Sequence, residues 1–212
     1  MRKTLLFVLP LLAAAPLIAQ GTAAPAPFGA PDAKRISGGT YQIDPNHTLV
    51  GWRVDHFGFN DYFGIFGQVT GTLELDPKKP AAAKVDVTIP VGKVVTASAG
   101  LSAHLLRAGK DGGKPDFFGP EPAPARFVSH HIIVKGKAAT IHGDLTLNGV
   151  TKPVTLQARF NGAGKTPAMM GGKENVGFHA TATIKRSDFG VNYAIPMVSD
   201  TVRLDISAAF QK

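Results

Sequence analysis

The sequence contains no cysteine, so the chain has neither a disulfide framework nor a thiolate metal site. It has a single tryptophan, and only 18% of its residues are charged. It also lacks a phosphate-cradling glycine loop and a His-Glu-x-x-His pattern, and residues 96–100 lack the first glycine of a nucleophile elbow. These absences argue against enzymes built on those motifs, and they leave the hydrophobic core as the source of stability.

One apolar run, residues 5–18, follows two basic residues and precedes a stretch of small residues. This order is typical of a secretory signal peptide. The run contains two prolines and is shorter than the roughly 20 residues of a membrane-spanning helix. We therefore predict a signal peptide over residues 1–24, export to the periplasm, a Pro/Ala-rich disordered lead over residues 25–38 and one domain over residues 39–212.

The chain is basic, with a formal net charge of +8. Removing Arg2 and Lys3 with the signal peptide lowers this charge by two, to +6, because no acidic residue precedes Asp32. A moderately basic exported protein is expected to meet anionic lipid head groups at a membrane surface, or an acidic ligand, rather than nucleic acid. Scattered solvating lysines are the simpler explanation of the same charge.

Apolar and polar residues alternate with a period of two over most of the chain, which predicts strands. In residues 140–160, the pair Asn148-Gly149 separates two such runs and predicts a β-hairpin. About eight strands with no βαβ pattern predict an antiparallel barrel or sandwich. Inner-face glycines such as Gly71 and Gly143 favour either sharp bends or an uncrowded interior, and the pattern as a whole favours the barrel. The other predicted strands are residues 41–57, 65–75, 84–90, 126–135, 176–185 and 202–210, with a turn over residues 58–64.

Residues 97–108 break this alternation. Leu101, Leu105 and Ala108 are spaced for one short helix, with Ser98 or Ser102 as its cap. A long Gly- and Pro-rich loop, residues 109–124, follows the helix and contains Phe117 and Phe118. Long loops in compact domains are usually functional, so we expect this aromatic pair to close over something.

An ordered series of motifs over roughly residues 40–210 resembles the YceI family. The motifs are Tyr-Gln-Ile-Asp-Pro-Asn-His-Thr at 41–48, Gly-Ile-Phe at 64–66, His-Leu at 104–105, Asp-Phe-Phe at 116–118, Gly-Asp-Leu-Thr-Leu-Asn-Gly-Val-Thr-Lys-Pro-Val at 143–154 and Arg-Ser-Asp-Phe-Gly at 186–190. The resemblance implies an exported lipocalin-like barrel that binds polyisoprenoids, isoprenoid quinones or similar amphiphiles in an apolar cavity, often as a dimer. The chain departs from the family pattern at Ser102, where an acidic residue is usual, and in the longer segment 106–115.

The predicted inner faces, the helix and the aromatic loop together define a candidate lipid-binding wall, with no cofactor. Long prenyl or acyl chains are held mainly by burial of apolar area. A solidly packed barrel, acting in envelope stress or protein interaction, would use the same side chains merely to fill its interior. The candidate residues are Val50, Trp52, Val54, Val69, Leu73, Val85, Val87, Ile89, Leu105, Phe127, Leu145, Leu156 and Phe178, with Phe117, Phe118 and Phe189 near an opening.

Polar candidates are weaker, and we predict no catalytic residue and no metal site. The four histidines His130, His131, His142 and His179 lack a metal-ligand spacing. A lipocalin-like enzyme acting through His47 or His56 is the alternative function. Two further hypotheses concern cations. Arg107, Lys110 and Lys114 would meet an anionic head group at the mouth, and Arg186 would form a structural ion pair or turn contact with Asp188.

Overall fold

The computed structural model describes residues 26–212, which are mostly strand. The predicted signal peptide lies outside the described residues. Within them, no helix is both long and apolar enough to cross a bilayer. The elements are β1 Gly39–Ile43, β2 Leu49–His56, β3 Asn60–Phe66, β4 Thr70–Leu75, β5 Lys84–Ile89, β6 Val94–Thr96, α1 Ala99–Leu106, β7 Ala125–Lys135, β8 Ala138–Leu147, β9 Val150–Lys165, β10 Glu174–Lys185 and β11 Thr201–Gln211.

The strands form one antiparallel sheet that closes on itself. Eight strands make the ring in the order β1-β4-β5-β7-β8-β9-β10-β11, and β11 returns to β1 through the pairs Gln42–Gln211 and Ile43–Phe210. Strand β2 pairs with the remaining length of β11, and β3 and β6 follow it. The predicted antiparallel barrel of about eight strands with one short helix is confirmed, and the sandwich alternative is wrong.

Three long ribbons of the barrel are each bent into two strands. Strand β1 pairs with β4 and strand β2 with β3. On their other sides, β4 pairs with β5 and β3 with β6. Strand β5 also pairs with β7, whereas in the described residues β6 pairs only with β3. The barrel is therefore closed at the end formed by β1, β4 and β5, which we call the base. It is open between β6 and β7 at the other end, which we call the mouth.

Local chemistry explains where these ribbons bend. In residues 44–48, the Asp44 carboxylate accepts a hydrogen bond from the Asn46 amide at 3.0 Å, which forms a turn. Thr48 Oγ1 takes the place of a backbone group and accepts from the Ala209 amide at 3.0 Å. Pro90, which has no N–H, precedes the bend between β5 and β6. The prediction of one continuous strand over residues 41–57 is therefore wrong at residues 44–48.

The turn predicted over residues 58–64 is also wrong. The chain reverses within residues 57–59, where Phe57 and Gly58 both have positive φ, and β3 begins at Asn60. Gly64 lies inside that strand because the Trp52 ring occupies the space that a Cβ would need. The predicted strand 65–75 breaks near Gln68, which has a φ of 55°.

The central hairpin forms as predicted. Asn148 and Gly149 have φ values of 52° and 76°, which an Asn-Gly turn accepts at little cost. The Asn148 side-chain amide also donates to the Phe189 carbonyl at 3.0 Å and so fixes the turn to the neighbouring segment. The short helix is confirmed as well, since Ser98 Oγ caps it by accepting from the Leu101 amide at 3.2 Å.

The residues before β1 pack against the base of the barrel. Ala30 and Ala163 exchange two backbone hydrogen bonds of 3.0 and 2.8 Å. Gly164 admits the Phe28 carbonyl so closely that a Cβ would overlap it. Ile36 is buried in the core. Residues 30–38 thus differ from the disorder that their composition predicts, because β9 offers them an edge and the core accepts Ile36.

A polar cluster fixes this segment to the last strands. Tyr41 is fully buried, and its hydroxyl lies 2.8 Å from Glu174 Oε2. The Ser37 amide and hydroxyl each donate to the same oxygen at 2.9 Å. Burial, together with the Glu174 carboxylate, raises the pKa of Tyr41 to about 12. The Ser37 amide holds the pKa of Glu174 below its ordinary value, so the cluster favours a charged carboxylate.

We expect Glu174→Gln to destabilise the protein at neutral pH by about 1 kcal/mol, because the donors lose a charged acceptor. Since the folded-state pKa of Glu174 lies below the ordinary 4.5, its stabilising contribution is present above that value and is lost as the pH falls through the folded pKa. Urea unfolding at about pH 7 and about pH 3 should show a difference between variant and wild type only at the higher pH.

Glu74→Gln is the matched control, since Glu74 makes only an exposed ion pair with Lys84. It should change the unfolding midpoint little at either pH. An equal deficit for Glu174→Gln at both pH values would contradict the role assigned to its charge.

Candidate functional site

The barrel encloses two adjacent compartments. The mouth compartment has a volume of about 590 Å³ and the base compartment about 370 Å³, both within the range of pockets for small ligands. Four apolar residues line both compartments and form a waist between them. These are Val50, Ile89, Leu145 and Leu204. The interior therefore contains two adjacent apolar cavities rather than the solid core of the packed-barrel alternative.

The structure brings fifteen of the sixteen predicted wall residues together around this space. Those in the mouth compartment alone are Trp52, Val54, Leu105, Phe117 and Phe118, and those in the base compartment alone are Val69, Leu73, Val85, Val87, Phe127, Leu156 and Phe178. Val50, Ile89 and Leu145 lie at the waist. Phe189 differs, because it is buried in a core cluster with Val91 and Ala125 and lines neither compartment.

Two glycines keep large rings against the wall. A Cβ on Gly64 would lie 2.5 Å from Trp52 Cζ2, and a Cβ on Gly143 would overlap the ring of Phe127. Each ring occupies the space left by the missing side chain of a neighbouring strand, so it takes less room in the middle of the barrel. Of the two glycines predicted to mark either sharp bends or an uncrowded interior, Gly143 makes room for a ring, whereas Gly71 has a φ of 131° and closely approaches the backbone of β5.

The mouth is built around Arg186, which is 6% exposed. Its guanidinium donates to four backbone carbonyls, at distances of 2.8–2.9 Å, in the segment that leads to β11. The acceptors are Val191, Tyr193, Val198 and Ser199. Burial lowers the pKa of Arg186, while the nearby Asp200 carboxylate opposes that effect. The structural role expected of Arg186 is correct, but the Asp188 partner is wrong, since the guanidinium donates to carbonyls instead.

Sequence reasoning missed the part of the wall that this segment contributes. Residues 191–198 show no period of two or 3.6, so no pattern marked them as inner-facing. Tyr62 was missed because residues 58–64 were predicted to be a turn, and the remaining residues continue strands whose inner faces were identified. The additional wall residues include Tyr62, Leu147, Ile184, Val191, Tyr193, Ala194, Met197, Val198, Val202 and Leu204.

The aromatic loop is fastened to the helix. Asp116 Oδ2 lies 2.7 Å from both Arg107 Nη2 and His104 Nε2, and these partners, Arg107 first, hold the pKa of Asp116 below its usual range. The Phe117 ring packs edge-on against His104 and Tyr193, at centroid distances of 5.2 and 5.3 Å. The loop thereby joins α1 to the segment held by Arg186. Among the cations predicted at the mouth, Arg107 is thus ion-paired, and Lys110 and Lys114 line neither compartment.

The histidines lie in different settings, and only some of them are near the cavity. His47 is paired with Asp44 on the surface and lines neither compartment, whereas His56 lines the mouth compartment. His131 and His142 stack with their ring centroids 5.9 Å apart on paired strands. Within residues 26–212, no group of three His, Asp or Glu side chains is placed to hold a metal ion.

Comparison with known proteins agrees with this architecture. The family model described as a YceI-like domain matches residues 41–210. The chain belongs to the YceI family. A YceI protein from Escherichia coli O157:H7 is 41% identical over 170 residues, which cover 79% of this chain and 84% of the relative. A UPF0312 protein from Pseudomonas putida F1 is 37% identical over 171 residues, covering 79% and 83%.

Solved structures share the barrel. The YceI protein of Campylobacter jejuni is 27% identical, with a TM-score of 0.61 over 74% of this chain and 89% of that one. A domain from Saccharophagus degradans, described as polyisoprenoid-binding, is 13% identical, with a TM-score of 0.57 over 80% and 97% of the two chains. At that identity the second likeness establishes the YceI-type fold alone.

We expect Gly143→Ala to cost about 1–3 kcal/mol, because the new methyl group must displace the Phe127 ring from the wall. Urea unfolding measures this loss as a lower midpoint with an unchanged slope. Gly67→Ala is the matched control, since its Cβ would make only ordinary contact, 3.7 Å from Leu49 Cδ2. Equal stability of the Gly143 variant and the wild type would show that the ring does not depend on the glycine.

Proposed function

We propose that this protein is an exported carrier that holds a long-chain isoprenoid, an isoprenoid quinone or a similar amphiphilic lipid and does not alter it. The observation that carries the proposal is the pair of adjacent apolar compartments that share the apolar residues of the waist. A lipid tail offers little but apolar area, whose burial contributes about 25 cal/mol per Å². A long apolar space suits such a tail better than it suits a compact polar metabolite.

The family supports this choice. The relatives of known structure share the closed barrel, and one of them, at low identity, is described as a polyisoprenoid-binding domain. The interior of the present chain is also apolar, since its walls are formed by aliphatic and aromatic side chains of all the long strands.

Polar side chains of the mouth compartment would hold the head group. His56, Tyr62, Ser98 and Tyr193 all line that compartment and can exchange hydrogen bonds with a carbonyl or hydroxyl group. Arg186 is already committed to four carbonyls, so we assign it no role with the head group. The cargo would thus lie with its head at the mouth and its tail through the waist.

Native mass spectrometry of protein purified from its own host's periplasm tests this function. We expect a stoichiometric extra mass that lipid extraction identifies as a prenyl lipid or quinone, on a polypeptide that lacks residues 1–24. Val50→Trp fills the waist and should lower lipid occupancy roughly tenfold, because the tail can no longer pass. Ile133→Trp adds a larger ring on the outer face of β7, where Ile133 is 52% exposed, and should retain the lipid.

A bare mass for the wild type, unchanged after incubation with prenyl lipids and quinones, would overturn the proposal. Circular dichroism of both tryptophan variants confirms that they keep the β-rich fold. Undiminished lipid in a folded Val50→Trp protein would show that the cargo does not cross the waist.

The homodimer implied by the family resemblance stays a prediction, and one exposed apolar surface is a candidate for its interface. Strand β6 ends the sheet order, and the outer faces of β3 and β6 expose Phe63, Ile65 and Val95. A second copy would cover this apolar strip. Sedimentation velocity should show a concentration-dependent dimer that Val95→Lys converts to monomer, because a buried unpaired charge is costly. A wild type that remains monomeric at all concentrations would remove this prediction.

A further inference from the structure

Four large apolar side chains surround the mouth and face outward. Phe57, Phe59, Tyr193 and Met197 are 47%, 88%, 44% and 54% exposed, and we call them the rim. Phe57, Tyr193 and Met197 also line the mouth compartment. Three side chains of the compartment wall therefore also reach the outer surface, and exposed apolar side chains grouped in this way are typical of an interaction site.

Backbone hydrogen bonds make the rim one unit. The Phe57 amide donates to the Met197 carbonyl at 2.8 Å, and the Ser199 amide donates to the Asp55 carbonyl at 3.0 Å. The turn between β2 and β3 is thus paired with the segment that Arg186 holds. The rim side chains are presented together on this joined backbone.

The residue type at position 57 does not suit the backbone conformation found there. Phe57 and Gly58 have φ values of 61° and 71°, the pattern of a primed hairpin turn whose first central position prefers Asn, Asp or Gly. The central hairpin meets the same requirement with Asn148-Gly149. A bulky residue with positive φ is strained, and such strain is typical of positions that serve function rather than stability. Phe57 is only half-buried and does not belong to either core cluster, so core packing does not explain it.

Charge near the turn does not favour an anionic partner. Arg53 is occupied by Asp61 at 3.1 Å, and the Asp55 carboxylate accepts from the Gly58 amide at 2.8 Å. The neighbourhood of the turn therefore carries two acidic groups against one basic group. Association through the rim would depend on apolar insertion and would be insensitive to salt.

We propose that the rim inserts into the surface of a phospholipid bilayer and docks the open end of the barrel on it. The lipid cargo then passes between bilayer and compartment along a continuous apolar path. This inference rests on the proposed lipid-carrier function, to which it adds the docking element. The bilayer is the occupant that the rim favours because three of its four exposed side chains, Phe57, Tyr193 and Met197, also line the cargo cavity.

Sedimentation with phosphatidylcholine vesicles tests the docking. We expect the wild type to bind these uncharged vesicles, with little change when salt is raised to about 0.5 M. Phe59→Ser should lower the partition coefficient roughly tenfold, since a large exposed side chain no longer enters the bilayer. Phe59 does not line either compartment, so native mass spectrometry of this variant should show the wild-type lipid content.

Phe57→Asn is a second test, in which stability and vesicle binding should change in opposite directions. Asn suits the turn, so the melting temperature should rise by about 2–4 °C while vesicle binding falls roughly tenfold. Met169→Ser is the matched control. Met169 is 93% exposed in the β9–β10 connection at the base, and its loss should leave vesicle binding unchanged.

A wild type that fails to bind vesicles, or a folded Phe59→Ser protein that binds them as the wild type does, overturns the docking proposal. Either result leaves the carrier function standing if the wild type still retains lipid. A protein that carries no lipid but loses vesicle binding through the rim variants would instead support docking and reject the carrier function.

Discussion

The architecture depends on a sheet that closes at one end only. At the base, β5 pairs with β7 and β11 pairs with β1, so each strand of the ring is hydrogen-bonded to a strand on both sides. Toward the mouth the bent ribbons diverge, and β6 leaves the ring. A closed barrel of eight strands leaves room for its own side chains or for one small ligand. The base compartment has this size, whereas the larger mouth compartment lies where β6 and β7 are not paired, and α1 and the aromatic loop connect those two strands.

That bridge is held by polar interactions placed where the ladder of strand hydrogen bonds is missing. Arg186 satisfies four carbonyls of an irregular segment that would otherwise lack partners, which offsets the cost of burying its charge. Asp116 fixes the aromatic loop in a similar way, because its carboxylate binds His104 and Arg107 of the helix end. The irregular parts of the mouth are therefore ordered by a few side chains, while the base is ordered by backbone pairing.

Strand periodicity predicted most of the wall because the period of two fixes which residues face inward once a strand exists. Val85, Val87 and Ile89 are examples, and all three line the compartments. The same signal did not reveal the bends at residues 44–48 and near Gln68, since alternation continues on both sides of each bend. Residues 191–198 were beyond prediction for a different reason. Their position is set by Arg186, a contact with carbonyls that leaves no pattern in side-chain polarity.

The composition also misled at the first described residues. Pro and Ala content indicates disorder when a segment has nothing to pack against. Here Gly162 and Gly164 have no side chains, so another backbone can approach β9 closely. The segment around Ala30 therefore forms hydrogen bonds with β9 that its own sequence does not predict. Such long-range complementarity needs the fold before it can be recognised. The turn at Phe57 is the reverse case, in which a local sequence rule is broken by a half-exposed aromatic residue outside the core clusters.

The sole tryptophan of the chain lies in the wall of the mouth compartment, and its indole N–H is buried with no partner within residues 26–212. An indole in that position senses the polarity of its surroundings with no competing signal from a second tryptophan. The protein consequently contains a built-in optical reporter, whose emission wavelength should follow the exchange of water for hydrocarbon in the cavity. Loading and release could then be observed in real time on the unlabelled protein.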